Sequence, residues 1–164
     1  TLPESAIQSL IGVLKDESWL VRSSAASAFG KQSTLPESAM QPLIGALKDE
    51  EADVRKSAAS TLGKQSMLPV WAIQSLISAL KDEDRRVRSS AASALGRQST
   101  LPESAIQSLI GVLKDESRLL RSLAASALGR QSTLPESAIQ SLIGALKRED
   151  TDVRELVTEV LDKQ

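Results

Sequence analysis

Beginning at Thr1, Thr34, Met67, Thr100 and Thr133, the chain writes nearly the same unit of about 33 residues five times, the last one residue short. A period in that range marks stacked supersecondary units that each touch only their neighbours, so it constrains the fold before any other feature does. The expected organisation is a single repeat domain over 1–164 with units 1–33, 34–66, 67–99, 100–132 and 133–164. One unit is too small to bury its own apolar stripe, and stacking has to supply the core.

Within the first unit Leu2, Ala6, Ile7, Leu10, Ile11 and Leu14 recur at helical spacing, and Val21, Ala25, Ala28 and Phe29 do so again after a short break. This predicts two helices per unit, A and B, joined by the turn Lys15-Asp16-Glu17-Ser18. Gly30 is expected to end helix B in a left-handed cap, and the Leu-Pro pair that follows prevents continuation. The slot of Phe29 holds Leu62, Leu95, Leu128 and Leu161 in the other units, as a core position should. Two capping boxes compete for the start of helix A, Thr1 with Glu4 and Ser5 with Gln8. Pro42 favours the later start, since it would sit deep inside a helix capped at Thr34 but nearer the first turn of one capped at Ser38. Small residues, Ala25, Ala26 and Ala28 with Ser23, Ser24 and Ser27, let neighbouring B helices approach closely.

Charge and composition exclude more than they suggest. Twenty Lys and Arg against 21 Asp and Glu give a net charge of −1, so no overall field draws the chain to nucleic acid or an anionic membrane. The absence of Cys and His removes thiolate and imidazole chemistry and nearly every transition-metal site, so neither a metal nor a cofactor is expected. No apolar run approaches a membrane span and no basic-then-apolar leader opens the chain, and a cytoplasmic setting is expected. Gly30-Lys31-Gln32-Ser33 has the end of a phosphate loop, but Ala25 stands where its first glycine belongs. Asp16 and Glu17 have the chemistry to bind a hard cation, yet the pair recurs in three further units, which speaks for architecture.

The pattern LIxxLKDExxxVRxxAAxxLG, at Leu43 to Gly63 and Leu76 to Gly96, resembles the HEAT-repeat family. It is most similar to the short repeats called phycobilin-lyase-like, with likeness to fungal NACHT-receptor arrays and engineered alpha-Rep binders. The resemblance covers all five units and implies an all-α fold, an α-solenoid of five stacked two-helix units. It also implies a ladder of turn Asp and helix B Arg between units, from Asp16, Asp49, Asp82 and Asp115 to Arg22, Arg55, Arg88, Arg121 and Arg154. Arg148 stands where the fifth unit should carry Asp. If each Asp reaches the Arg of the next unit, the last unit needs none, so the expected pairs are Asp16–Arg55, Asp49–Arg88, Asp82–Arg121 and Asp115–Arg154. Glu155 and Glu159 facing outward, with Val157 and Val160 inward, make the fifth unit read as a cap. HEAT-like hydroxylases hold iron through His, which this chain lacks, and a bilin lyase would need a pigment pocket that no aromatic cluster suggests.

What varies between such similar units is what the fold does not dictate, and the variation gathers at the start of helix B. There Trp19 and Leu20 give an apolar end, followed by Lys56 and a cluster of Arg85, Arg86 and Arg118. Resembling proteins hold partners on this concave face, which implies a non-catalytic interaction scaffold for a protein or peptide carrying acidic groups. Asp53, Asp152 and Glu155 interrupt the basic row and make nucleic acid a poor fit. Against this stands the plainer reading that the Arg residues are only solvated, that Trp19 folds over the first unit, and that Leu119, Leu123 and Leu156 pack between the last two units.

A second set of departures, Met67, Val70 and Trp71, replaces Thr, Glu and Ser of the other units. These swaps remove both capping boxes, at about 1 kcal/mol, and make sense only if the indole is covered. The cover is either the turn of an adjacent unit or another molecule, and the latter includes a homo-oligomer joined through Trp71 or through the first unit.

Overall fold

The computed structural model describes residues 3–32, 34–147 and 151–164. Among these the chain forms ten α-helices and no strand. The A helices are α1 (Glu4–Val13), α3 (Glu37–Ala46), α5 (Val70–Ala79), α7 (Glu103–Val112) and α9 (Glu136–Leu146). The B helices are α2 (Trp19–Phe29), α4 (Ala52–Leu62), α6 (Arg85–Leu95), α8 (Arg118–Leu128) and α10 (Thr151–Leu161). Each helix packs on its partner and on the same helix of the next unit, which is the solenoid the period predicts. The B row packs more tightly than the A row, as its alanines and serines allow.

The core is continuous from unit to unit. Phe29, Leu62, Leu95 and Leu128 are fully buried in their common slot, with Leu43, Leu76, Leu109 and Leu142 opposite them on the A helices. Val54, Val87 and Leu120 are also fully buried, whereas Val21 of the first unit is 38% exposed, because in the later units the preceding pair covers that slot. Val157 and Val160 turn inward while Glu155 and Glu159 stay at the surface.

Neither capping box starts helix A. The N-cap residue is Pro3, Pro36, Pro69, Pro102 or Pro135, each with extended backbone and none with a side-chain cap. In α3 the Pro36 carbonyl instead accepts the amides of Ala39 and Met40 at 3.0 and 3.1 Å. Thr1 and Leu2 lie outside the described residues, and Ser5 is already inside α1, its carbonyl accepting the Ser9 hydroxyl at 2.9 Å. The proline N-cap leaves the first-turn Glu to face the helix dipole. It also means that Met67 and Val70 remove no cap at all.

Gly30 corrects a second expectation, since its φ of −69° is right-handed and no described glycine takes a positive φ. The reason for glycine here is space. A Cβ on Gly63 would lie 2.7 Å from both Cα and Cβ of Ala94, and one on Gly96 would lie 2.9 Å from the Cβ of Ala127. Glycine is what lets successive B helices touch at their C-terminal ends.

Two polar ladders run along the stack. At one end of the B row the Arg22 Nε and Nη2 donate to the Asp49 carboxylate at 2.8 and 2.9 Å while Nη1 donates to the carbonyls of Asp16 and Glu17. Arg55 does the same with Asp82, and Arg88 sits 3.3 Å from Asp115. The ladder therefore links units, but in the direction opposite to the expected pairs: each Arg reaches forward to the next Asp. The turn Asp also accepts from its own backbone: Asp49 Oδ1 takes the Glu51 amide at 3.0 Å as well as the Arg22 Nη2. Arg121 finds Asp152 at 3.1 Å instead of a turn acid, and Arg154 donates to the Thr151 hydroxyl at 3.2 Å. Arg148 lies outside the described residues. At the other end, the amides of Gln65, Gln98, Gln131 and Gln164 donate to the carbonyls of Gln32, Gln65, Gln98 and Gln131 at 3.3 to 3.4 Å. Gln98 and Gln131 also accept the backbone amides of Leu68 and Leu101.

Candidate interaction surfaces

Trp19, Arg85 and Arg118 are the first residues of α2, α6 and α8, so one position in the repeat sets them along one edge of the B row. Trp19 is 39% and Leu20 59% exposed, and Arg85, Lys56 and Arg118 are exposed as well. Arg86 differs from these. Its guanidinium lies 2.9 Å from Asp53 of α4 and 2.9 Å from Asp84, the residue that caps α6 by accepting the Arg86 amide. The hydrogen bond from Arg86 holds the Asp84 carboxyl down at about 2. Arg86 is thus neutralised by a neighbouring unit and its own cap, while Arg118 keeps an 85% exposed side chain with Asp152 only at 4.0 Å.

Burial works on Asp49 of the ladder as well. Burial alone would push Asp49 up, but the Arg22 guanidinium and the Glu51 amide more than offset it and leave the carboxyl below its ordinary value. Asp16 accepts the Ser18 amide at 2.8 Å, and the Asp16 and Glu17 carbonyls are taken by Arg22, so this pair shapes a turn. Among the described residues no group of acidic side chains is arranged to hold a metal ion.

The expected packing of Leu119 does not occur. It is 59% exposed on α8, and only Leu123 and Leu156 lean on the core, because Leu119 lies one residue outside the buried stripe that Leu120 occupies.

On the A row, Trp71 is partly buried and shares a cleft of about 350 Å³ with Glu37, Met40, Met67, Leu68 and Pro69. Met67 is 78% and Val70 62% exposed. The same slot carries a serine in the other units, and in the last two that serine receives the unit before it. Gln74 donates to Ser104 at 2.9 Å, Gln107 to Ser137 at 3.3 Å, and Ser137 also bonds to Glu103. Trp71 removes that hydroxyl from the reach of Glu37 and Gln41, which hold the matching positions one unit earlier.

The Gln ladder and Glu37 were missed in the sequence. The first had a signal, since Gln recurs at 32, 65, 98, 131 and 164 in every unit. Glu37 had none of its own, because what distinguishes it is the residue it faces in the next unit.

The family described as HEAT repeats matches residues 3–63 and 73–162. No curated protein matches the sequence. Among solved structures the chain is similar to the complex of CpcE and CpcF of phycocyanin lyase from Nostoc sp. PCC7120, at 23% identity and a TM-score of 0.73, covering 99% of this chain and 66% of that one. It is similar to a designed armadillo repeat protein in complex with the peptide (KR)4, at 19% identity and a TM-score of 0.68, covering 97% of this chain and 82% of that one. An engineered protein is similar at 22% identity and a TM-score of 0.67, covering 96% and 78%. At such identities the likeness is one of fold. Among the described residues no helix is long and apolar enough to cross a membrane.

Proposed function

The chain belongs to the HEAT-repeat family, and from that premise we propose that it is a non-catalytic scaffold that holds an acidic protein segment along the B-helix face. The observation that carries this reading is the set of exposed cations on that row that, among the described residues, make no close ion pair. Arg118 is 85% exposed, and Lys56 and Arg85 stand exposed on the same row with Trp19 and Leu20 as apolar anchors. Arg22, Arg55 and Arg88, by contrast, are consumed by the ladder. A designed armadillo protein of similar fold holds a basic peptide; here the uncommitted side chains have the charge that suits an acidic one. Arg86, already paired, shapes the face more than it binds.

A labelled dodecapeptide alternating Glu and Leu, titrated by fluorescence anisotropy beside its Lys-Leu counterpart, tests this. Saturable binding of the acidic peptide alone, weakened at least about tenfold by combined Lys56→Ala, Arg85→Ala and Arg118→Ala and by added salt, is expected. Binding indifferent to the triple substitution would remove the B-face from the reading.

A second reading, self-association, is favoured by one feature. Leu10, Val13, Leu20 and Val21 of the first unit line an open trough of about 420 Å³ suited to another helical surface. Light scattering over a dilution series separates the two, since a mass that falls on dilution supports self-association and a constant monomer mass argues against it.

A further inference from the structure

The cleft at Trp71 lies on the A row, apart from the B-helix face, and its lining combines five apolar side chains with one carboxylate. That carboxylate is exposed and, among the described residues, accepts no hydrogen bond, unlike its repeat equivalents. Glu4 and Glu136 accept from Gln8 and Gln140, each at 2.8 Å, and Glu103 bonds to Ser137. In unit two the residue facing Glu37 is an indole, which offers its ring where serine offers a hydroxyl. The Ser-to-Trp exchange places an aromatic wall beside that acid and withholds from it the inter-unit hydroxyl that Glu103 has in Ser137.

We propose that the cleft between α3 and α5 is a second docking site, one that receives a lysine or arginine side chain from a segment of a partner protein. The aliphatic stem lies on Met40, Met67 and Trp71, and the cationic head reaches the Glu37 carboxylate. Three physical arguments select this occupant. A cation over an indole and beside a carboxylate gains both ring attraction and a charge-assisted hydrogen bond. A neutral apolar occupant would strip water from Glu37 and return nothing for it. A second copy of the chain would need on the order of 1,000 Å² of complementary surface, and a single indole, already partly buried, with Met67 and Val70 supplies a fraction of that.

The test uses a Trp19→Phe background, which leaves Trp71 as the sole indole. Blocked glycine-serine heptapeptides with one central arginine, norleucine or glutamate are titrated while indole emission is followed, and affinities are confirmed by calorimetry. The arginine peptide is expected to bind at least about tenfold more tightly than the norleucine peptide, with the glutamate peptide weakest. Glu37→Gln should erase the arginine advantage while helicity is unchanged. Trp71→Ser, which restores the residue of the other four units and so preserves the fold, should abolish calorimetric binding. Substitution of Lys56, Arg85 and Arg118 should leave these affinities alone, so loss of the B-face reading would not touch this one. Equal affinity for norleucine and arginine, no binding by any peptide, insensitivity to Glu37→Gln, or a Trp71-dependent dimer in sedimentation would each overturn the assignment.

Discussion

Arg55 ties three parts of the chain with one head group: Asp82 of the next unit at 2.7 and 2.9 Å, and the Asp49 and Glu50 carbonyls of its own turn at 2.9 Å. Its side chain is 9% and that of Asp82 11% exposed, so removing either leaves a charge buried without its counterion. Arg55→Ala should cost about 3 kcal/mol or more, whereas Arg154→Ala, at the same repeat position but exposed, should stay within about 0.5 kcal/mol. Urea midpoints of the two variants check this; equal losses would contradict the forward direction of the ladder. A pH test belongs to Asp84, whose carboxyl is held at about 2 from an ordinary 3.8 by Arg86. A group depressed on folding stabilises fully above its unfolded value, and that contribution is lost as pH falls towards the folded one. Asp84→Asn should therefore be less stable than the parent above about pH 4, with the gap in melting temperature closing between about pH 4 and pH 2. That Asp and Arg form a ladder between units came from the family resemblance, which named the repeated slots. Its direction was not legible, because the repeat supplies the same Asp and Arg to both directions and only the geometry of the turn, with Asp49 pinned to the Glu51 amide, selects one.

At the scale of the helix, the period gave away pairs and their core stripes, and what it hid were the ends. Proline in an N-cap position is outside the side-chain capping rules that made Thr1 or Ser5 the natural choice. The glycines misled in a more instructive way, since a helix followed by Gly reads as a left-handed cap unless one knows what lies against it. Two classes of glycine separate once neighbours are seen. Gly63→Ala forces a methyl group to within 2.7 Å of the Ala94 backbone and should destabilise by about 1 to 3 kcal/mol. Gly45→Ala, late in α3 with nothing within 4 Å of the new Cβ, should stabilise by about 0.5 to 1 kcal/mol. Thermal melts of the two variants should move in opposite directions, and a shared direction would mean that helix propensity outweighs contact between units. The candidate surfaces were legible only as variation. Trp19, Arg85 and Arg118 announced themselves by differing in otherwise equal units, while the neutralisation of Arg86 by Asp53 depends on two units coming side by side.

For the molecule as a whole, the ladder is not uniform along the stack. The Arg to Asp separations run 2.8, 2.7 and 3.3 Å from Arg22 to Arg88, and the fourth rung turns from a sheltered turn acid to Asp152, whose side chain is 47% exposed. Among the described residues the Nε atoms of Arg88 and Arg121 are buried without a hydrogen bond, Arg88 Nε keeping its longer ion pair with Asp115 at 3.3 Å, which marks the same loosening. At the opposite end α2 leaves Val21 38% exposed where Val54 and Val87 are fully buried. In a linear array each unit is stabilised by its own helices and by the interfaces on its two sides, so weaker interfaces translate into local opening and not into loss of the whole. Hydrogen exchange should accordingly find its slowest amides in α4 and α6, with α1, α9 and α10 exchanging at least about tenfold faster under native conditions. Strengthening the fourth rung would then slow α10 without changing α4, whereas uniform protection across all ten helices would show that the stack opens as one unit and that its two ladders couple every repeat to every other.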